Sequence, residues 1–141
     1  MIWLAMMMVF ASGTLPGRCA DSLSTEPLRK FGLGEVRLLA ASSDLRFVAS
    51  GGQAGAMVWD IEGSRLRYRL DQRGAVTAMA FSPDGRRLAL SLSNGVNPDI
   101  YVMDLGSRQL TQLTNNYAID TEPVWSPDGS IIYFTSDRGG K

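Results

Sequence analysis

The chain has 141 residues, 45% of them hydrophobic, and its 14 acidic and 14 basic side chains cancel to a formal net charge of zero. That balance excludes a nucleic-acid binder carried by bulk charge, and the hydrophobic share excludes a disordered chain. With no histidine and a single cysteine, Cys19, an internal disulfide and a Cys/His zinc site are excluded too.

Residues 1–17 carry no charged side chain; Ile2 to Phe10 is a compact apolar run, followed by small Ala11, Ser12 and Gly13. This pattern predicts a secretory signal within residues 1–20 and a periplasmic or secreted product. No stable membrane insertion is expected after its removal, because a spanning helix needs ~20 apolar residues and Pro16 interrupts too soon. Cys19 reads as incidental rather than lipidated, since Arg18 stands where a small residue is wanted. Residues 21–35 are polar, with Pro27 and two glycines, and read as a linker.

From residue 36 one phrase repeats. It is VTAMAFSPDGRRLALSLS at Val76–Ser93, TEPVWSPDGSIIYFTS at Thr121–Ser136, and a worn VRLLAASSDLRFVAS at Val36–Ser50. Each copy is an apolar strand, a short turn and a second strand. Pro83 and Pro127 pre-set φ for the first corner, Asp84 and Asp128 suit the second, and Gly85 and Gly129 accept positive φ afterwards. Asp44 holds the acidic place in the worn copy; Leu45 replaces its glycine, so that turn is expected to be looser. The aspartates recur after 40 and then 44 residues. A period of about 40–45 residues made only of strands and turns predicts β-propeller blades, an all-β fold of four-stranded antiparallel sheets.

In blade one, residues 36–75, strands are expected at Val36–Ala41, Arg46–Ser50, Ala56–Ile61 and Arg65–Leu70, with a glycine-rich turn at Gly51–Gly55. Leu66, Tyr68 and Leu70 alternate with Arg65, Arg67 and Arg69, so the arginines are expected to form the solvated face of an outer strand. No aromatic residue interleaves with them on that face, as single-stranded nucleic acid would want. In blade two, residues 76–120, strands are expected at Val76–Phe81, Arg87–Ser93, Ile100–Leu105 and Gln109–Thr114. Blade three, residues 121–141, holds two strands. Leu88, Leu90, Val102 and Trp125 are expected to be buried. The reading is an incomplete propeller of two full blades and the start of a third, whose open blade faces favour self-association.

No catalysis is expected from these residues. General acid–base work near neutral pH falls most often to histidine, which is absent, and the serines have no base in view. Asp44, Asp84 and Asp128 recur at the repeat period, which marks a structural role. Asp120 and Glu122 are the acidic pair that breaks the repeat. The segment Asn94–Asp99 lacks the acidic spacing of a calcium loop, so neither metal nor cofactor is expected. What remains is binding through end loops, one with Asn94, Asn97 and Asp99 and one with Asn115, Asn116 and Asp120.

The phrases AFSPDGRRLALSLS, DIYVMDL, LTQLTNN, DTEPVWSPDG and IIYFTSDRGGK, in that order, resemble the TolB propeller family of the periplasmic Tol–Pal system. Residues 36–70 resemble a bacterial WD-repeat blade, with Val58-Trp59-Asp60 where that family has its Trp-Asp pair. Without histidine, the buried His–Asp–Ser/Thr–Trp network of WD repeats is not available. A linker stands in place of the TolB N-terminal domain, so the resemblance implies a secreted relative rather than an orthologue. It implies a non-enzymatic interaction scaffold of the cell envelope, with an envelope lipoprotein as the analogous protein partner. The alternative is the accessory propeller of a prolyl-oligopeptidase-like hydrolase. Such enzymes place a Ser-His-Asp triad on a separate domain; this sequence has no histidine and no G-x-S-x-G elbow.

Overall fold

The computed structural model describes residues 36–71, 74–93 and 95–139. The signal, linker and Cys19 readings lie outside the described residues. Ten strands run in order: β1 Leu38–Ala41, β2 Phe47–Gly52, β3 Gly55–Asp60, β4 Arg65–Asp71, β5 Ala75–Phe81, β6 Arg87–Ser93, β7 Pro98–Asp104, β8 Leu110–Gln112, β9 Asp120–Trp125 and β10 Ile132–Ser136. They form two four-stranded sheets, β1–β4 and β5–β8, and a two-stranded sheet of β9 and β10. Every pairing is antiparallel and sequential. The fold is all-β, with sheets built as propeller blades. No helix among the described residues is long and apolar enough to cross a membrane.

The sheets stack through their first strands. β5 packs against β1 and β2 on one side and β9 on the other. The core lies between the sheets. Leu88, Leu90 and Leu92 of β6, with Val58 and Ile100, are almost wholly buried. β6 is buried from Leu88 through Ser91 on both of its faces, because a middle strand is covered by its neighbours in the stack.

Four sequence expectations change. Gly51 and Gly52 are strand, not turn; the hairpin closes at the Gly52–Gly55 pair. A Cβ on Gly51 would sit 3.1 Å from Met79 Sδ and 3.2 Å from Val76 Cγ1, so a glycine there lets β2 approach β5. Val102 is half-buried, because β8, its outer neighbour, pairs over only three residues. Trp125 is also half-buried; its Nε1 donates to the Ala80 carbonyl at 3.0 Å, and the Arg87 guanidinium lies 4.6 Å above its ring.

The fourth change concerns the arginine stripe. Arg65 and Arg69 are exposed, but Arg67 is half-buried and Leu66 is exposed. The β3–β4 ladder slips by one residue: Val58 faces Tyr68, while Trp59 faces Leu66. Arg67 is the extra residue of a bulge, and a bulge inverts the in–out alternation on one side of itself.

Candidate functional site

The meander puts alternate connections at opposite ends of the stack. At one end lie the three repeated turns and the β3–β4 and β7–β8 turns. At the other lie the β2–β3 turn, the β6–β7 loop and the long β8–β9 connection.

The repeated turns are built around a buried serine. In each, the N–H of Leu45, Gly85 or Gly129 donates 2.9 Å to the carbonyl of Ser42, Ser82 or Ser126. The serine hydroxyl donates to the aspartate Oδ1 of its own turn, Asp44, Asp84 or Asp128, at 2.5–2.6 Å. That hydroxyl also accepts the N–H of Phe47, Arg87 or Ile131 at 2.9 Å. The same Oδ1 accepts a backbone N–H two residues on, from Arg46, Arg86 or Ser130, at 3.0 Å. The serine hydroxyl favours the ionised acid first and the backbone N–H second, so Asp44 and Asp84 lie below the ordinary carboxylate range. Asp128, which gains both groups of Ser130 besides the Ser126 hydroxyl, falls to about 2.

Gly85 stands at φ +66° and Gly129 at +70°. Leu45 stands at +58° with the same hydrogen bonds, so the first turn is not looser: it keeps the geometry and bears the backbone cost. The sequence reading gave no role to Ser42, Ser82 and Ser126. Their signal was present: serine holds its place in all three copies, including the one that lost both proline and glycine.

The turns also lock onto one another. The Ser43 hydroxyl donates 2.8 Å to the Pro83 carbonyl, and Arg87 Nη2 donates 2.8 Å to the Gly129 carbonyl. A Cβ on Gly85 would stand 3.4 Å from Ser42 Cβ, and one on Gly129 would stand 3.4 Å from Pro83 Cδ. The turn serines and their aspartates are engaged within each turn, and Ser43 and Arg87 hold neighbouring blades together.

At the opposite end the repeat breaks. Asp99 and Asp120, expected in loops, are both buried in strands. Asp99 lies in β7 and accepts Thr114 Oγ1 at 3.1 Å and Gln112 Nε2 at 3.2 Å, tying the β8 side to its neighbour. Asp120 opens β9 and accepts Arg138 Nη2, and Asn116 Nδ2 at 3.2 Å. Burial pushes the Asp120 carboxyl up, but polar contacts from Ser136, Arg138, Thr114 and Asn116 outweigh it and leave a lowered value. A buried acid survives where charge and hydrogen bonds compensate it. The acidic pair Asp120 and Glu122 is therefore divided. Asp120 is interior, while Glu122 is exposed at φ +55° and accepts the Thr135 hydroxyl.

Of the loop asparagines, Asn94 lies outside the described residues. Asn116 is spent locally, its Oδ1 accepting the Ala118 N–H at 2.7 Å. Asn97 donates to the Tyr117 carbonyl and so joins the β6–β7 loop to the β8–β9 connection; Asn115 is exposed. Sequence reading missed the apolar members of this end. Tyr117 is 89% exposed and Val96 85%, with Leu113 and Ile119 about half exposed. A joined pair of loops carrying such exposed apolar side chains can contact another protein. Among the described residues no cluster of metal-ligating side chains exists.

Against this geometry, a family model for the TolB beta propeller domain matches residues 42–141. The match takes in β2, β3 and β4 of the first sheet, in the part whose sequence resembled a WD-repeat blade. The Tol-Pal system protein TolB of Francisella tularensis subsp. mediasiatica is 37% identical over 106 residues, which cover 71% of this chain and 24% of that protein. The solved structure of TolB from Acinetobacter baumannii superposes with a TM-score of 0.61 and 32% identity over 75% of this chain and 28% of that one. The tricorn protease gives a TM-score of 0.65 at 21% identity, over 76% of this chain and 12% of its own, a likeness of fold alone. The chain thus spans about a quarter of the length of the curated relatives it matches. It belongs to the TolB β-propeller domain family.

Proposed function

We propose that this chain is a non-enzymatic, protein-binding part of a TolB-type propeller, working in the periplasm in a Tol–Pal-like envelope assembly. The observation that carries the reading is the asymmetry of its two ends. At one end the Ser–Asp turns spend their polar groups on one another. At the other, Val96 and Tyr117 stand free on two loops joined by Asn97. Amphipathic Tyr beside apolar side chains is the composition of protein interfaces. The name of the Francisella relative places that protein in the Tol-Pal system, and a peptidoglycan-associated lipoprotein is the analogous partner. Localisation rests on the apolar run Ile2 to Phe10.

The test is titration of the chain with the soluble domain of such a lipoprotein, beside variants Tyr117→Ala and Val96→Ser. Saturable binding weakened at least about tenfold by Tyr117→Ala supports the reading, a loss expected of an interface anchor. Binding indifferent to both variants removes the loops from the interface. Turnover of esterase, peptidase or glycosidase substrates, abolished by Glu122→Gln, would overturn the non-enzymatic reading.

A further inference from the structure

A cleft of about 420 Å³ opens at the outer rim, between the edge strand β4 of the first sheet and the β7–β8 hairpin of the second. Its chemistry is one-sided. Arg67, Arg108 and Tyr68 meet in it, Leu70, Met103 and Leu110 line the rest, and no lining residue is acidic. Arg69 completes the wall and keeps an interaction of its own.

The two guanidiniums share one aromatic ring. The Arg67 carbon Cζ lies 5.9 Å from the Tyr68 centroid and that of Arg108 lies 5.5 Å from it. The ring itself is fixed: Tyr68 is buried and its hydroxyl donates to the Leu105 carbonyl. Arg67 reaches the cleft because the β4 bulge turns it out of the solvated stripe. Arg108 is placed by its turn, at φ +65°, the same left-handed site that Ser64 fills in the equivalent turn of the first sheet. Arg67 Nε is buried and meets no acceptor among the described residues. Two like charges thus lie near one ring in a cleft without an acidic wall, and a shared anion would favour both.

We propose that this rim cleft binds a phosphate monoester bearing an apolar substituent. A monoester carries about −1.5 to −2 charges at neutral pH and three acceptor oxygens, enough to answer two guanidiniums, whereas a carboxylate neutralises only one. The apolar substituent lies against Leu110 and the edges of the buried Leu70 and Met103, and its phosphate accepts from the guanidiniums of Arg67 and Arg108. The site is distinct from the loop end assigned to protein binding.

The experiment titrates the full chain by isothermal calorimetry with inorganic phosphate, hexyl phosphate and hexanol. Co-sedimentation with vesicles of phosphatidic acid or phosphatidylcholine separates a lipid source from a soluble ester. Hexyl phosphate should bind saturably and more tightly than either inorganic phosphate or hexanol. R67Q and R108Q should each weaken it about tenfold or more, the scale of a lost charge-assisted hydrogen bond, and R65Q should leave it unchanged. Phosphatidic-acid sedimentation lost in R108Q identifies a lipid headgroup; its absence alongside hexyl phosphate binding identifies a soluble ester. Arg108 lies on a surface turn, so R108Q keeps the test decisive even if R67Q fails to fold. No saturable binding, or equal loss in R65Q, overturns the proposal.

Discussion

Leu45 takes left-handed backbone at φ +58° while 70% of it is exposed, so it bears a conformational cost that its own packing barely offsets. Leu45→Gly should therefore raise stability by about 0.5–1 kcal/mol, the left-handed penalty less the entropy that glycine loses on folding. Gly85→Val should do the reverse, costing about 1–2 kcal/mol, since its Cβ would also approach Ser42. Urea midpoints measure both. Ser82→Ala should cost about 1–3 kcal/mol by the same method, because one buried hydroxyl serves a carboxylate and a backbone N–H. The turn acids fix a pH dependence. Their folded values are lowered, so the stability they supply is complete above the unfolded value of ~3.9 and is lost as pH falls through the folded one. For Asp128 that folded value is about 2, and the loss runs from about pH 4 to 2. Asp128→Asn should flatten the slope of urea midpoint against pH in that window; an unchanged slope would remove the serine–aspartate pair as its source.

At the level of strands, Leu90→Ala should cost about 2–5 kcal/mol, because Leu90 is fully buried in a strand covered on both faces. Gly51→Ala should also destabilise, through forced displacement of Met79 and Val76. Thermal melting of each variant checks the pair. The strand core of the second sheet was legible because Leu88, Leu90 and Leu92 recur with period two beside a turn of known chemistry. The Arg67 bulge was not legible, since one extra residue reverses the phase and leaves no mark in composition. Gly51 misled for a related reason: glycine signals a turn and a close approach alike, and only the neighbouring sheet decides. Asp99 and Asp120 misled because acids beside asparagines read as loop, whereas Thr114 and Gln112, which hold Asp99, and Arg138, which holds Asp120, lie 13 to 18 residues away. The broken repeat at the loop end was visible in the sequence. The exposure of Val96 and Tyr117 was not, because it depends on how two separate loops meet.

Across the whole molecule, the β9–β10 hairpin exposes several apolar side chains beside the Glu122–Thr135 pair. Val124 and Tyr133, which face each other across the ladder, are each 59% exposed, and Phe134 of β10 and Ile131 just before it are exposed as well. A paired patch of this kind favours association. We predict that the chain self-associates with rising concentration in sedimentation velocity, and that Tyr133→Asp shifts it toward monomer; a monomer at every concentration would overturn this.

The joints between turns have a direction. In both, a side chain of the earlier blade, Ser43 or Arg87, gives its hydrogen to a carbonyl of the later one, Pro83 or Gly129. The donor changes from hydroxyl to guanidinium, but the sense does not. A unit with a donor on one side and an acceptor on the other is a head-to-tail cassette. Duplicating such a segment copies both halves of the joint at once, so a lengthened array needs no new contact to hold its added member. A blade inserted in reverse would bring donor against donor. Growth by tandem copying is thus written into one hydrogen bond per blade, and a ring closes when the last donor meets the first acceptor.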